Sequence, residues 1–268
     1  MDRGLMEEWR ELHLQGIQKA IRLNREEIEE LRRLYRLAWE DVKRRLEYLE
    51  DLEARLGDKA GHGVLIRATR EQMDALESTW RSLEHETGEI YLRAARRAWG
   101  IGLATGEAFG AAIGTSFGVV PHEAAVLLQR QVLELAGDVT RELANRIKGE
   151  VMRGILSGES VRKVARRVVG RGLTTEGTPF RKAIVRAKTI VRTETVRAFN
   201  LATVERYREY DVIVGYQWDA FFDERTCPEC AALHGKFWRK GNEKRPPLHP
   251  NCRCVLLPVT KRYGEYPI

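Results

Sequence analysis

All four cysteines of this 268-residue chain fall between Cys227 and Cys254. Cys227-Pro-Glu-Cys230 is followed, eighteen residues later, by His249-Pro-Asn-Cys252-Arg-Cys254. A Cys-x-x-Cys pair turns back on itself and aims two sulfurs at one point, and His249-x-x-Cys252 offers a second pair of donors. Sulfur and imidazole nitrogen are the ligands of a tetrahedral zinc ion. Five donors compete for four places. On an extended chain Cys252 and Cys254 share a face with Arg253 opposite, so both could reach one metal and leave His249 over. Four protein ligands leave no open coordination position, so the expected cofactor is a structural Zn2+. A disulfide or a metal-free pair of turns is the plainer reading, but clustering in an otherwise cysteine-free chain favours a metal.

A catalytic alternative uses the same stretch. Zinc knuckles flank some His-Asn-His endonuclease sites, and His234, His249 and Asn251 lie close together in sequence. Such a site needs a general-base His and a separate metal holder. With His249 spent on zinc, His234 stands alone in a Leu-His-Gly turn. The sequence therefore predicts no catalytic residues, and a zinc-containing nuclease acting on DNA is the second reading.

The other chemistry is electrostatic. The chain carries 46 Lys+Arg, 35 of them Arg, against 39 Asp+Glu, for a net charge of +7. Between Arg162 and Arg197 there are eleven basic and two acidic residues, a net +9 that leaves the remainder slightly acidic. Arg162, Lys163, Arg166 and Arg167 share one helical face, with Val161, Val164, Ala165 and Val168 turned inward. Arg171, Arg181, Lys182, Arg186 and Lys188 continue the tract. Such a face suits phosphates and gives salt-sensitive, sequence-independent DNA contact. The plainer reading is a solvated face, or ion pairs with Glu26, Glu27, Glu29 and Glu30 of this or a neighbouring subunit.

The elements that position these groups are mostly helical. From Ile28 to Leu56 apolar residues recur about every 3.5 positions, and a second such run follows from Ile66 to Ala94. Gly57 to Gly63 breaks them, which predicts a coiled-coil-like antiparallel hairpin, intramolecular or completed by another subunit. Ile101 to Val120 is nearly uncharged, with glycines at 102, 106, 110, 114 and 118 on one ridge. Close helix packing between subunits explains that ridge better than a membrane span, because Gly and Ala partition weakly into hydrocarbon. Pro121 begins a helix that runs to about Leu156, Val161 to Val169 is a short basic helix, Gly170 to Pro179 a linker, and Phe180 to Tyr210 a long helix. Val212 to Trp218 and Cys254 to Val259 alternate as strands.

The predicted fold class is mainly α, with a long N-terminal helical hairpin (1–100), a glycine-ridge helical middle region (101–160) and a small α+β zinc-stabilised C-terminal module (161–268). The N-terminus lacks the basic-then-apolar order of a secretory signal, so the cytoplasm is the expected compartment of synthesis.

The stretch from Arg186 to Asn200, which contains Arg192-Thr-Glu194, then Trp218, Asp223 to Cys230, Leu233-His-Gly235 and Pro246 to Cys254, resembles the phage Mu F-like head morphogenesis family of minor head proteins. The likeness covers about Val161 to Val259. It departs from the family's usual Leu-Asp-Gly by placing His234 before Gly235. The resemblance implies a minor capsid protein associated with the portal and procapsid, assisting head assembly and DNA packaging or delivery. Portal and capsid proteins and DNA are the implied partners, in a homo-oligomer or portal-bound assembly within the virion. In this setting Arg192 holding a buried Glu194 would dock the long helix onto the zinc module, with Trp218 as a structural residue.

Overall fold

The computed structural model describes residues 3–56, 61–114 and 122–261. The order of elements is α1 (Arg3–Leu56), α2 (His62–Asp74), α3 (Glu77–Ala112), α4 (His122–Leu156), α5 (Val161–Val168), α6 (Pro179–Arg208), β1 (Ile213–Asp219), α7 (Pro228–Leu233), β2 (Phe237–Arg239) and β3 (Val255–Thr260). Among the described residues the protein is mainly helical, as the apolar periods predict, with a three-stranded sheet where two strands were expected. Two compact units divide the chain, one formed by 1–27, 92–132 and 189–268, the other by 28–91 and 133–188. Each unit takes a share of the N-terminal, middle and C-terminal segments, because α1, α3, α4 and α6 each contribute residues to both.

In the second unit α1 buries the stripe Leu31, Tyr35, Ala38, Val42, Leu46 and Leu49. The hairpin is intramolecular: Thr79 donates to Asp41 at 2.6 Å and Arg45 to Gln72 at 3.1 Å, so the chain descends along α1 as it leaves the turn. Residues 57–60 of that turn lie outside the described residues. The second apolar run, predicted as one helix, is two, broken at Ala75-Leu76. No Gly or Pro announces the break. It keeps Met73, Leu76 and Trp80 buried, and Arg45 caps the carbonyl of Ala75 at 3.4 Å. The short basic helix α5 buries Val161, Val164 and Val168, and Glu53 accepts the N–H of Val161 at 3.0 Å. The indole of Trp39 donates to the carbonyl of Val169 at 2.9 Å, which fixes the chain just after α5.

In the first unit the sheet has the order β2-β1-β3, all antiparallel, with Gln217 opposite both Phe237 and Leu257. Every residue of β3 is buried, so this strand reads as a continuous apolar run. α3 and α6 approach closely where the glycine ridge was expected. A Cβ on Gly102 would stand 2.5 Å from the carbonyl oxygen of Phe199, and one on Gly106 would stand 2.8 Å from Arg206. The ridge is thus filled from within the same chain, at Gly102 and Gly106, and not by the second subunit that the sequence suggested. Gly114 takes a positive φ at the end of α3, while Gly118 and Pro121 lie outside the described residues. None of the described helices is long and apolar enough to cross a membrane.

His13 on α1 is fully buried beside this packing. Its Nδ1 donates to the carbonyl of Trp9 at 2.7 Å, and the hydroxyl of Tyr207 donates to Nε2. Burial outweighs the bond to Trp9 and lowers its pKa to about 4.

Two predictions follow from these contacts. Gly102→Ala should destabilise by about 1–3 kcal/mol through overpacking, whereas Gly100→Ala, where added bulk meets nothing, should be neutral or stabilising by about 0.5–1 kcal/mol; urea unfolding compares the two. For His13, the unfolded chain binds a proton near pH 6.5 that the folded chain refuses until about pH 4. Stability should therefore be full above pH 6.5 and fall by roughly 3 kcal/mol between 6.5 and 4, a slope that His13→Gln should flatten.

Candidate metal centre

The metal donors are delivered by three local structures. The first is a turn at Asp223-Glu-Arg-Thr226, where Asp223 Oδ1 accepts the N–H of Arg225 at 2.8 Å and Thr226 Oγ1 accepts the N–H of Asp223 at 3.0 Å. That turn hands the chain to Cys227, the N-cap of α7, with Pro228 at the first helical position. Cys227 Sγ accepts the N–H of Cys230 at 3.3 Å, so the tight Cys-x-x-Cys turn is also a helix start.

The second is the His249-Pro-Asn-Cys252 turn, where Asn251 adopts a positive φ of 60°, a conformation that asparagine tolerates better than most residues. His249 Nδ1 donates to the carbonyl of Pro250 at 2.9 Å, which leaves Nε2 as the free donor and raises the ring's pKa. Nε2 then lies 3.1 Å from Cys227 Sγ and 3.2 Å from Cys230 Sγ.

The third is the entry to β3, which places Cys252 Sγ 3.8 Å from Cys230 Sγ and buries Cys254 behind them. The five predicted donors therefore fall into two triads, Cys227-Cys230-His249 and Cys230-Cys252-Cys254, that share Cys230. A four-coordinate ion must draw on both. Without a cation the cluster is electrostatically awkward. Burial pushes the Cys230 thiol up to about 12, the N–H of Cys230 pulls Cys227 down, and the thiol of Cys254 donates to Cys252 and lowers it to about 5. Several crowded sulfurs cannot all ionise together, and a bound divalent ion removes that conflict. The donor set fits a metal ion.

What surrounds the donors holds them there. Arg253, between Cys252 and Cys254, pairs both guanidinium nitrogens with the two oxygens of Asp223 at 2.5 Å and packs over the ring of Phe221. The pair holds the Asp223 carboxyl well below the usual range and ties the second cysteine segment to the first. Trp218 is fully buried in one cluster with Cys230, Cys252 and Cys254.

The docking of α6 onto this module differs from expectation in its residues. Glu194 is buried, but its partner is Arg197 at 2.9 Å, with Gln131 at 3.2 Å; Arg192 is exposed. On a helix Arg197 sits three residues along the same face as Glu194, whereas Arg192, two residues back, points elsewhere. Burial raises the Glu194 pKa despite Arg197. The helix is joined to the cysteines by Thr193, whose Oγ1 accepts the N–H of Asn251 at 3.0 Å, and by Asn200. The Asn200 amide donates to the carbonyls of Val196 and Cys254 at 2.9 and 3.0 Å, and its oxygen accepts the N–H of Leu256 at 3.2 Å.

His234, the candidate base of the nuclease reading, closes α7 as an exposed residue with Nδ1 3.1 Å from the buried Asp219 and 3.2 Å from the N–H of Ala220. Arg10 holds the other Asp219 oxygen at 2.9 Å. His249 and Asn251 stand in the metal turn, with His249 Nε2 against the cysteine sulfurs.

The basic tract lies mainly on exposed positions, much of it paired with acids. Arg162 meets Glu50 at 2.8 Å, Lys163 and Arg167 meet Glu159 at 3.1 and 2.6 Å, Arg181 meets Glu176 at 3.5 Å, and Arg186 meets Glu142. These acids are not the Glu26, Glu27, Glu29 and Glu30 that the sequence offered as partners. Glu26 and Glu27 meet Arg97. Arg166, Arg171 and Lys182 are exposed, and Lys188 is half-buried.

The fold and the cluster define a helical protein with a small sheet bearing a potential metal centre. Residues 145–257 match the family described as Phage Mu protein F like protein, so this segment, which runs from the end of α4 into the first half of β3 and includes all five donors, is similar to that family. No curated protein and no solved structure matches the chain.

Protein purified without chelator should carry one divalent metal ion per chain. Cys230→Ser, which removes the donor common to both triads, should abolish it and lower the melting temperature, whereas Glu229→Gln should retain it; elemental analysis and thermal unfolding read both.

Proposed function

We propose that this chain is a bacteriophage minor head protein that acts in head morphogenesis without catalysing a reaction. The match of residues 145–257 carries this reading, because it takes in both the metal cluster and the helix docked on it. On this reading the chain associates with the portal and other capsid proteins during procapsid assembly, in an oligomeric or portal-bound form. It remains in the virion and assists packaging or delivery of DNA.

The ion is zinc. Thiolates and one imidazole are its preferred donors, and a site filled by four protein ligands stabilises structure without offering substrate a coordination position. The zinc substitutes for the core that a three-stranded sheet is too small to supply by itself. Non-specific DNA contact runs through the tract from Arg162 to Lys188. Its ion pairs are exposed, where water screens them and they stabilise little, so phosphates can replace the carboxylates at little cost.

Heads purified from a phage that encodes this chain should contain it in small copy number by mass spectrometry, and portal complexes should retain it through gel filtration. A chain found only in the unassembled fraction would overturn the assignment.

A further inference from the structure

Most cations of the basic face stand on open surface, but some converge on a recess. In the second unit Glu142, Leu143 and Arg146 of α4 face Lys182, Ala183 and Arg186 of α6 across a small cleft of about 60 Å³. The spacing is the same on both helices, i, i+1 and i+4, and with Val139 and Pro179 one turn earlier each helix contributes two apolar residues to the wall and its charged residues to the rim. Arg146 reaches Glu142 at 3.1 Å and Arg186 pairs with the same carboxylate. Lys182 makes no ion pair among the described residues. Three positive charges therefore surround one negative charge.

The size of the cleft limits what can enter. Small-molecule pockets span roughly 300–1,000 Å³, so this one admits a single small group and not a base or a ring system. Its chemistry selects an anion. Two guanidinium groups and an ammonium suit the oxygens of a phosphate, which accepts bidentate bonds from arginine. Glu142 holds the place such a group would take. Its side chain is 44% exposed and those of Arg146 and Arg186 are 50% and 44% exposed, so their pairing is readily exchanged. The N-terminus of α6, where Thr178 Oγ1 accepts the N–H of Arg181 at 3.2 Å, adds its partial positive charge on the same side of the helix start.

We infer that this cleft takes one backbone phosphate of a nucleic acid, which displaces Glu142 from Arg146 and Arg186. The inference rests on the proposed DNA contact and gives it a fixed point. It adds Arg146, which lies outside the basic tract, and makes Glu142 an internal competitor of the ligand.

The test uses the full chain and a fluorescein-labelled duplex, with anisotropy measured from low to moderate salt. Arg146→Ala combined with Lys182→Ala should weaken binding about tenfold at low salt and reduce the slope of log affinity against log salt by about one. Glu142→Gln should tighten binding severalfold. Loss of a merely structural ion pair would not produce that gain, and circular dichroism verifies that each variant is folded. Arg166→Ala with Arg171→Ala serves as the comparison away from the cleft.

If the unaltered chain binds duplex and the cleft variants bind as it does, the cleft assignment fails while the DNA reading stands. If the unaltered chain does not bind duplex at low salt, both fail. Perturbation of the cleft by inorganic phosphate alone, without duplex binding, would make it a free-anion site and overturn the nucleic-acid assignment.

Discussion

Asn200 makes three hydrogen bonds from one buried amide, two as donor and one as acceptor, and the two to Cys254 and Leu256 join α6 to the chain that enters β3. The carbonyl of Cys254 and the N–H of Leu256 flank Val255, the first residue of β3, directly after the last cysteine. A helix side that packs against a strand leaves such groups without sheet partners, and a buried unpaired backbone group costs about 1–3 kcal/mol. Asn200 satisfies both groups with a side chain of fixed length. This sets how deep the helix sits on the sheet and where Cys252 and Cys254 stand relative to the Cys-x-x-Cys turn. Thr193 repeats the device two helical turns earlier by capturing the N–H of Asn251. The candidate metal centre is consequently an extension of the helix–sheet contact that Asn200 holds from the inside.

The chain's arginines fall into two groups. Arg253 and Asp223 form a half-sheltered bidentate pair that joins the two cysteine segments directly, so part of the centre's geometry is held by the chain itself. The tract on α5 and α6 is exposed and loosely paired. A charge that pairs at the surface is available to a polyanion, whereas one that holds two turns together is not. Sorting the arginines by burial and partner separates these duties where composition cannot.

Much of this was legible in the sequence. The apolar repeat gave α1 from Ile28 onward and the hairpin, the inward valines gave α5, and the spacing of five donors gave the candidate metal cluster. Local patterns report local geometry, and these features are local. What escaped was set by partners far along the chain. The break at Ala75-Leu76 has no Gly or Pro to signal it, β2 is only Phe237–Arg239, and the glycines at 102 and 106 announce a close approach without naming α6 as what approaches. Arg192 and Arg197 are equally plausible partners of Glu194 until the helical phase is fixed, and the i, i+3 relation then selects Arg197. Asn200 stood in the conspicuous Arg-Thr-Glu stretch, yet no spacing rule connects it to Cys254 and Leu256.

The core of the sheet-bearing unit draws Trp9 from α1 and Phe109 from α3 into edge-on contact, and Phe109 meets Tyr207 in the same way. Trp9 and Phe109 both precede residue 145, where the family likeness begins. The recognisable segment is therefore not self-sufficient: it borrows the aromatic filling of its core from sequence that carries no such likeness. A chain cut before residue 145 would leave Tyr207 without the ring of Phe109 that now packs edge-on against it.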